Sequence, residues 1–268
     1  TQKLKKIKFL EAKEGLTELI GRSINYCLRS DKKISIALSG GLDSSTIVSK
    51  ILEKKLKKKI IKLSHWTCGD ENDEQKYASK LSKSFNRKLS INLFMKNDFN
   101  NYLDKCLDSI EEPFGGLAVM CSRKMYENLN KNKIRVLIDG NGADEILGGY
   151  QHHIYAFNKN YLDYSYQPVQ GLKINFPQNI LKKQYREFEK FKIQKKFDDP
   201  LKDSMYNDLV GSKLRRSLLQ QDHNSMSQSI EVRFPFLNND LLNFCYSLPN
   251  EFLINNNFGK YILRDLSN

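Results

Sequence analysis

The sequence predicts an α/β fold: a parallel sheet with helices on both faces. Short apolar runs alternate with amphipathic helical stretches through residues 10–138. A glycine- and serine-rich turn follows the first apolar run, and a second small-residue turn, rich in acids, follows the fourth. Parallel strands need a long crossover, usually a helix, and their burial on both faces makes them read as continuous apolar runs. Such sheets bind ligands beyond the carboxyl ends of their strands, so both turns are predicted on one edge.

Leu10, Leu16, Leu19, Ile20 and Ile24 recur at helical spacing and predict a helix over 10–28. Ile34-Ser35-Ile36-Ala37-Leu38 predicts strand one over 33–38, with a helix following to about 56. Ile60, Ile61 and Leu63 mark strand two, and Asp73 to Phe85 reads as a helix. Leu89, Ile91 and Leu93 alternate as strand three. Helices near 98–110 and 118–130 precede strand four, Ile134 to Ile138. Residues 1–150 thus predict the core. Residues 151–205 are polar and Lys/Asn-rich and predict an irregular connection. A helical pattern returns from Tyr206, with a further helix near 239–247, so 206–268 predicts a helical lobe over the site, cut short at its C-terminus.

The 268 residues allow one large domain or a core with an appended lobe. No stretch approaches the roughly 20 apolar residues of a membrane span, and the start, Thr1 to Lys8, is basic and polar rather than a signal peptide. Cys27, Cys68, Cys106, Cys121 and Cys245 are scattered and show no C-x-x-C spacing, which points to reduced thiols in a cytoplasmic protein. The net charge of +13 comes partly from Lys54, Lys55, Lys57, Lys58 and Lys59, and partly from Lys182, Lys183, Lys190, Lys192, Lys195 and Lys196. It admits a nucleic-acid partner, but the aromatics between these lysines form no stacking pattern, and solvated lysines are the simpler reading.

The first turn is Ser39-Gly40-Gly41-Leu42-Asp43-Ser44-Ser45. Glycines let backbone approach an anion, and a helix start offers free N–H groups and a favourable dipole. Ser39, Ser44 and Ser45 add hydroxyls. Asp43 is out of place beside a phosphate unless a divalent cation lies between them, which Mg²⁺ with a nucleotide provides. The turn lacks the lysine of G-x-x-x-x-G-K-[ST] and instead has the pyrophosphate-loop pattern S-G-G-x-D-S. The second turn is Asp139-Gly140-Asn141-Gly142-Ala143-Asp144-Glu145-Ile146-Leu147-Gly148-Gly149-Tyr150. On the same sheet edge, Asp144 joins Asp43 as a candidate cation ligand, with Glu145 beside it.

With these motifs the chain resembles the synthetase domain of the glutamine-hydrolysing asparagine synthetases, within the pyrophosphate-loop ATPases. The two turns match that family's L-S-G-G-L-D-S-S and G-x-G-A-D-E-x-x-G-G-Y boxes. Glu111-Glu112-Pro113-Phe114, Asn224-Ser225-Met226 through Leu237, and Lys260-Tyr261-Ile262-Leu263-Arg264 are similar to three more. The resemblance implies an adenine nucleotide α-hydrolase-like fold and a C–N ligase. Its ATP and pyrophosphate site would be Leu38, Ser39, Gly40, Gly41, Leu42, Asp43, Ser44, Ser45, His65, Asp139 and Gly140, with Mg²⁺ on Asp43 and Asp144. Lys260, Asp144 and Glu145 would be catalytic, and Asn141, Glu231 and Arg233 would lie on the substrate side. Taken alone, Lys260 also reads as a solvated surface lysine, and His65 as a core or backbone-binding residue. The implied substrates are aspartate or a similar carboxylate, and ammonia from a glutaminase domain of the same polypeptide that lies outside this chain. A homodimer is admitted, and nucleic acid and membrane are disfavoured. The family often has an acid where Asn141 stands, and Asp where Asn238 stands. Amidation of a sugar acid, a β-lactam-type closure and a tRNA-binding adenylation domain remain as alternatives.

Overall fold

A computed structural model describes residues 7–53, 60–69, 74–158 and 195–267. The lysine run 54–59 and the body of the expected connection, 159–194, lie outside the described residues. The chain forms α1 (Phe9–Cys27), β1 (Lys33–Ala37), α2 (Leu42–Glu53), β2 (Ile60–Thr67), α3 (Gln75–Ser84) and β3 (Leu89–Leu93). Next come α4 (Phe99–Ile110), α5 (Leu117–Lys131), β4 (Ile134–Ile138), α6 (Ala143–Leu147) and α7 (Gln151–Phe157). After the undescribed stretch come α8 (Pro200–Val210), α9 (Ser212–Met226), β5 (Glu231–Arg233), α10 (Asn239–Ser247), α11 (Asn250–Leu253) and α12 (Tyr261–Leu266).

The strands form one sheet in the order β3-β2-β1-β4-β5, and every pair is parallel. Neighbouring residues of β4 serve opposite faces: Val136 and Ile138 join a core with Ile36, Ile47 and Leu16, while Leu137 joins Met125, Tyr126 and Leu129 of α5. Burial on both faces explains why this strand is a nearly unbroken apolar run. The chain steps outward from β1 to β2 and β3, then returns to β4 on the other side of β1. The strand order therefore reverses between β1 and β4, where ligand crevices open in such sheets. Both small-residue turns leave the sheet there.

Two features differ from the expected elements. β5 is an unanticipated edge strand, because Glu231-Val232-Arg233 is too short and too charged to show a period; it pairs Val136 with Glu231 and Ile138 with Arg233. The expected connection is helical at both ends, at 151–157 and 200–205. The second of these has a legible start, since Asp199 caps α8 by accepting from the Lys202 N–H at 2.9 Å, with Pro200 at its first position. The C-terminal helices pack directly onto the core of the sheet. Leu201, Phe236, Leu241, Ile254 and Ile262 share one apolar core with Ile34 and Ile36 of the central strand. Among the described residues, no helix is long and apolar enough to cross a membrane.

Candidate functional site

A cavity of about 580 Å³ opens at the carboxyl ends of β1, β2 and β4. Leu38, Ser39, Asp43, Ser44 and His65 line it, with Asp139, Gly140, Asn141 and Asp144 from the second turn. Gly40 has φ +95°, and a Cβ there would lie 2.7 Å from the Ala78 nitrogen and from Tyr77 Cβ. Only glycine fits both the angle and the space. The serines hold the turn shut. The Ser39 N–H donates to Ser44 Oγ at 3.2 Å, the Gly41 N–H donates to Ser39 Oγ at 3.1 Å, and Ser45 Oγ donates to the Gly41 carbonyl at 2.6 Å. Gly40, Gly41, Leu42 and Ser45 thus shape the loop without lining the cavity. His65 is buried, with Nδ1 2.9 Å from the Leu38 carbonyl, which matches a structural role better than acid–base work.

The chemistry concentrates on three side chains brought together from distant parts of the chain. Lys260 Nζ lies 2.6 Å from Asp43 Oδ2 and 2.8 Å from Asp144 Oδ1. Lys260 is only 8% exposed, which excludes the solvated-lysine reading. It adopts the left-handed conformation, φ +55°, and its N–H donates to the Leu147 carbonyl at 3.1 Å. Gly149 makes this approach possible, because a Cβ there would collide with Asp144 Oδ1 and Lys260 Cε. Burial pushes the Asp43 carboxyl above its ordinary value, Lys260 opposes that, and Asp144 adds to it. Asp43 Oδ1 is buried and accepts no hydrogen bond among the described residues. Two carboxylates with an unsatisfied oxygen, facing a phosphate-type loop, form an oxygen-only donor set suited to a hard divalent cation. The residues therefore fit the implied Mg²⁺.

The second turn supplies a further network. Asp139 Oδ1 accepts from the Asn141 N–H at 3.0 Å, and its Oδ2 accepts from Gln221 Nε2 at 3.2 Å. Asn141 Nδ2 donates to Gln221 Oε1 at 2.8 Å. Burial raises the Asp139 carboxyl against these bonds. Gln221 has no signal in sequence, because it reaches the site from α9. Thr67, Cys68, Leu117 and Ala118 also line the cavity. The first two stand at the end of β2, where the strand-end rule points.

Three expected site residues lie elsewhere. Glu145 follows Asp144 by about 100° around α6, is 3% exposed, and accepts from the Tyr150 hydroxyl at 2.7 Å instead of facing the cavity. Burial raises its carboxyl. Tyr150 adjoins His152, His153 and Asp208. Both imidazole Nε2 atoms meet Asp208 Oδ2, and the Tyr150 N–H donates to His153 Nδ1 at 3.4 Å, which assigns the Nε2–H tautomer to His153. Burial acts to raise Asp208, but hydrogen bonds from the two histidines outweigh it and hold the carboxyl well below the usual range. Glu231 and Arg233 pair with each other on the edge strand, Arg233 Nε donating to Glu231 Oε1 at 2.9 Å. Arg233 Nη1 also donates to the carbonyls of Cys27 and Arg29, at 2.8 and 2.7 Å. It ties the sheet edge to the end of α1. Arg233→Ala is expected to lower stability by about 1–3 kcal/mol, the scale for charged hydrogen bonds, while nucleotide binding holds. Urea melts with nucleotide titration check this; a stable variant with weakened carboxylate binding would restore the substrate role.

These features define an α/β protein with a glycine-serine loop and a carboxylate–lysine centre at the reversal point of a parallel sheet. The chain belongs to the asparagine synthase family: residues 15–267 match the family model described as Asparagine synthase. A Methanocaldococcus jannaschii protein named as glutamine-hydrolysing asparagine synthetase 1 is 27% identical over 255 residues, 93% of this chain and 39% of its own length. Asparagine synthetase [glutamine-hydrolyzing] 2 of Bacillus subtilis is 24% identical over 257 residues, 88% of this chain and 34% of its own. The chain thus spans less than half the length of these relatives. Among solved structures, an NH3-dependent NAD synthetase from Campylobacter jejuni aligns with a TM-score of 0.34 and 17% identity, covering 53% of this chain and 60% of its own.

Proposed function

We propose that this chain is the synthetase half of a glutamine-dependent asparagine synthetase, a cytoplasmic C–N ligase using Mg-ATP. The carrying observation is Lys260 clasped between Asp43 and Asp144 beside the phosphate-type loop. Family membership supports the same reading.

In this reading the Ser39–Ser45 loop receives the pyrophosphate, and Leu38, the backbone around His65, and Asp139–Gly140 frame the adenosine. Asp43 and Asp144 would hold the magnesium, which would neutralise phosphate charge as a Lewis acid. An aspartate β-carboxylate oxygen attacks the α-phosphorus, the bond to the β-phosphate oxygen breaks, and pyrophosphate leaves. Lys260 stabilises the charge developing at the α-phosphate. Ammonia then attacks the acyl carbon and AMP departs, with Asn141 facing the acceptor side. In the whole protein a glutaminase domain supplies the ammonia. The buried thiols Cys106, Cys121 and Cys245 take no part: burial pushes Cys106 up to about 11, and Cys121 and Cys245 up to about 12.

Anion-exchange analysis of the nucleotide products tests the class. AMP and pyrophosphate in equal amounts are expected when aspartate and ammonia are supplied. ADP and phosphate as the main products would overturn the mechanism.

A further inference from the structure

Lys260 fills the gap between the two carboxylates that the proposed reaction assigns to a divalent cation, and leaves Asp43 Oδ1 as the oxygen it does not hold. Its ammonium touches one oxygen of Asp43 and one of Asp144, at 2.6 and 2.8 Å. A magnesium ion bridging both carboxylates needs oxygens at about 2.0–2.1 Å, so a cation that draws on Asp43 Oδ2 and Asp144 Oδ1 competes with the ammonium for them, even with Asp43 Oδ1 as a further ligand. The side chain is mostly enclosed, at 11% exposure. Its backbone is pinned on both sides, the Lys260 N–H donating to Leu147 and the Lys260 carbonyl accepting from the Arg264 N–H at 2.9 Å. The side chain, which lies against Gly149, is left to change partner.

We propose that Lys260 is an internal counter-ion that keeps the Asp43–Asp144 site closed to a free divalent cation and admits it only with the nucleotide. This inference rests on the functional reading above. A metal ion arriving alone must draw Asp43 and Asp144, the ammonium's ion-pair partners among the described residues, away from it. A metal–nucleotide complex brings its own phosphate oxygens, which take over the ammonium as the carboxylates pass to the metal. Displaced onto the phosphate, Lys260 becomes the group that stabilises charge there. Metal and nucleotide are thereby coupled through one side chain, and linkage makes the coupling reciprocal.

The test uses the full-length protein, Mn²⁺ as the probe, and electron paramagnetic resonance of the free ion as the readout, so no turnover is required. The unmutated protein is expected to bind Mn²⁺ weakly alone and much more tightly with α,β-methylene ATP. In Lys260→Met, which keeps the volume and removes the charge, binding of Mn²⁺ alone is expected to tighten by roughly tenfold or more, and the nucleotide's enhancement to shrink. Asp43→Asn in the Lys260→Met background should abolish the tightened binding, which locates it at this site. Unchanged or weaker Mn²⁺ binding in Lys260→Met, with AMP and pyrophosphate still formed by the unmutated protein, would overturn the gating role and leave the ligase reading standing. Tightened binding that survives Asp43→Asn would place the ion elsewhere and overturn it too.

Discussion

Asp43→Asn is expected to abolish ATP–pyrophosphate exchange, a fall of about three orders of magnitude or more, in a protein that stays folded. Asparagine keeps the shape of the side chain and removes its charge. The site then holds one carboxylate and one ammonium, and the attraction for a divalent cation, worth several kcal/mol at a reacting phosphate, is gone. The fold tolerates the change for a reason the electrostatics supply. Burial raises the Asp43 carboxyl above its ordinary value of 3.8. The native state thus favours the proton more than the unfolded chain does, and the charge opposes folding once the pH passes that ordinary value. Stability from this group is greatest in acid and declines as pH rises through the window up to the folded-state value. Asparagine removes that penalty, while Asp144 still pairs Lys260 at 2.8 Å. The variant is therefore expected to melt no lower than the unmutated protein at neutral pH, with the difference between them narrowing toward pH 4. Thermal melts across pH, alongside radiolabelled pyrophosphate exchange, check both halves. Exchange retained in a folded variant would remove Asp43 from the cation site.

Lys260→Ala is expected to lower adenylate formation by a factor of roughly 10² to 10³, the loss of one positioned electrostatic contact to a reacting centre. Single-turnover measurement with excess enzyme isolates that step from product release. An unchanged rate would end the assignment. The structure adds a stability effect that a surface lysine would not show. Removing the ammonium of Lys260, a residue that is 8% exposed, leaves Asp43 and Asp144 without the cation that pairs both, and a largely enclosed charge without its partner is destabilising. The variant should melt lower at neutral pH. It should recover in mild acid, as one carboxyl takes up a proton, and on addition of Mg²⁺, which replaces the missing positive charge.

Much of this site is legible in the amino-acid sequence. Ser39 to Ser45 and Asp139 to Tyr150 each follow a strand, and the strand-end rule puts them on one edge, where the cavity lies. Asp43 stands out as a charge with no reason to sit in a phosphate loop, and its buried, unsatisfied Oδ1 agrees. Glu145 misleads because sequence adjacency to Asp144 says nothing about which way a helix turns the next side chain. Glu231 and Arg233 mislead because their block matches a family motif, whereas in this fold they clamp the sheet edge to α1. Gln221 is invisible in sequence because no local pattern marks a glutamine that bridges Asp139 and Asn141 from a distant helix.

Local chemistry in the chain was enough for the strand–helix alternation and both small-residue turns. These depend on periodicity and backbone freedom within a few residues, and nearby residues set both. The partner of each carboxylate, the merging of the C-terminal helices into one core, and the addition of β5 to the sheet depended on tertiary packing. Lys260 shows why. Its sequence neighbours leave open whether it meets water or a ligand, and only the closure of α12 against the Gly148–Gly149 turn buries its ammonium between two acids contributed by separate strands' loops.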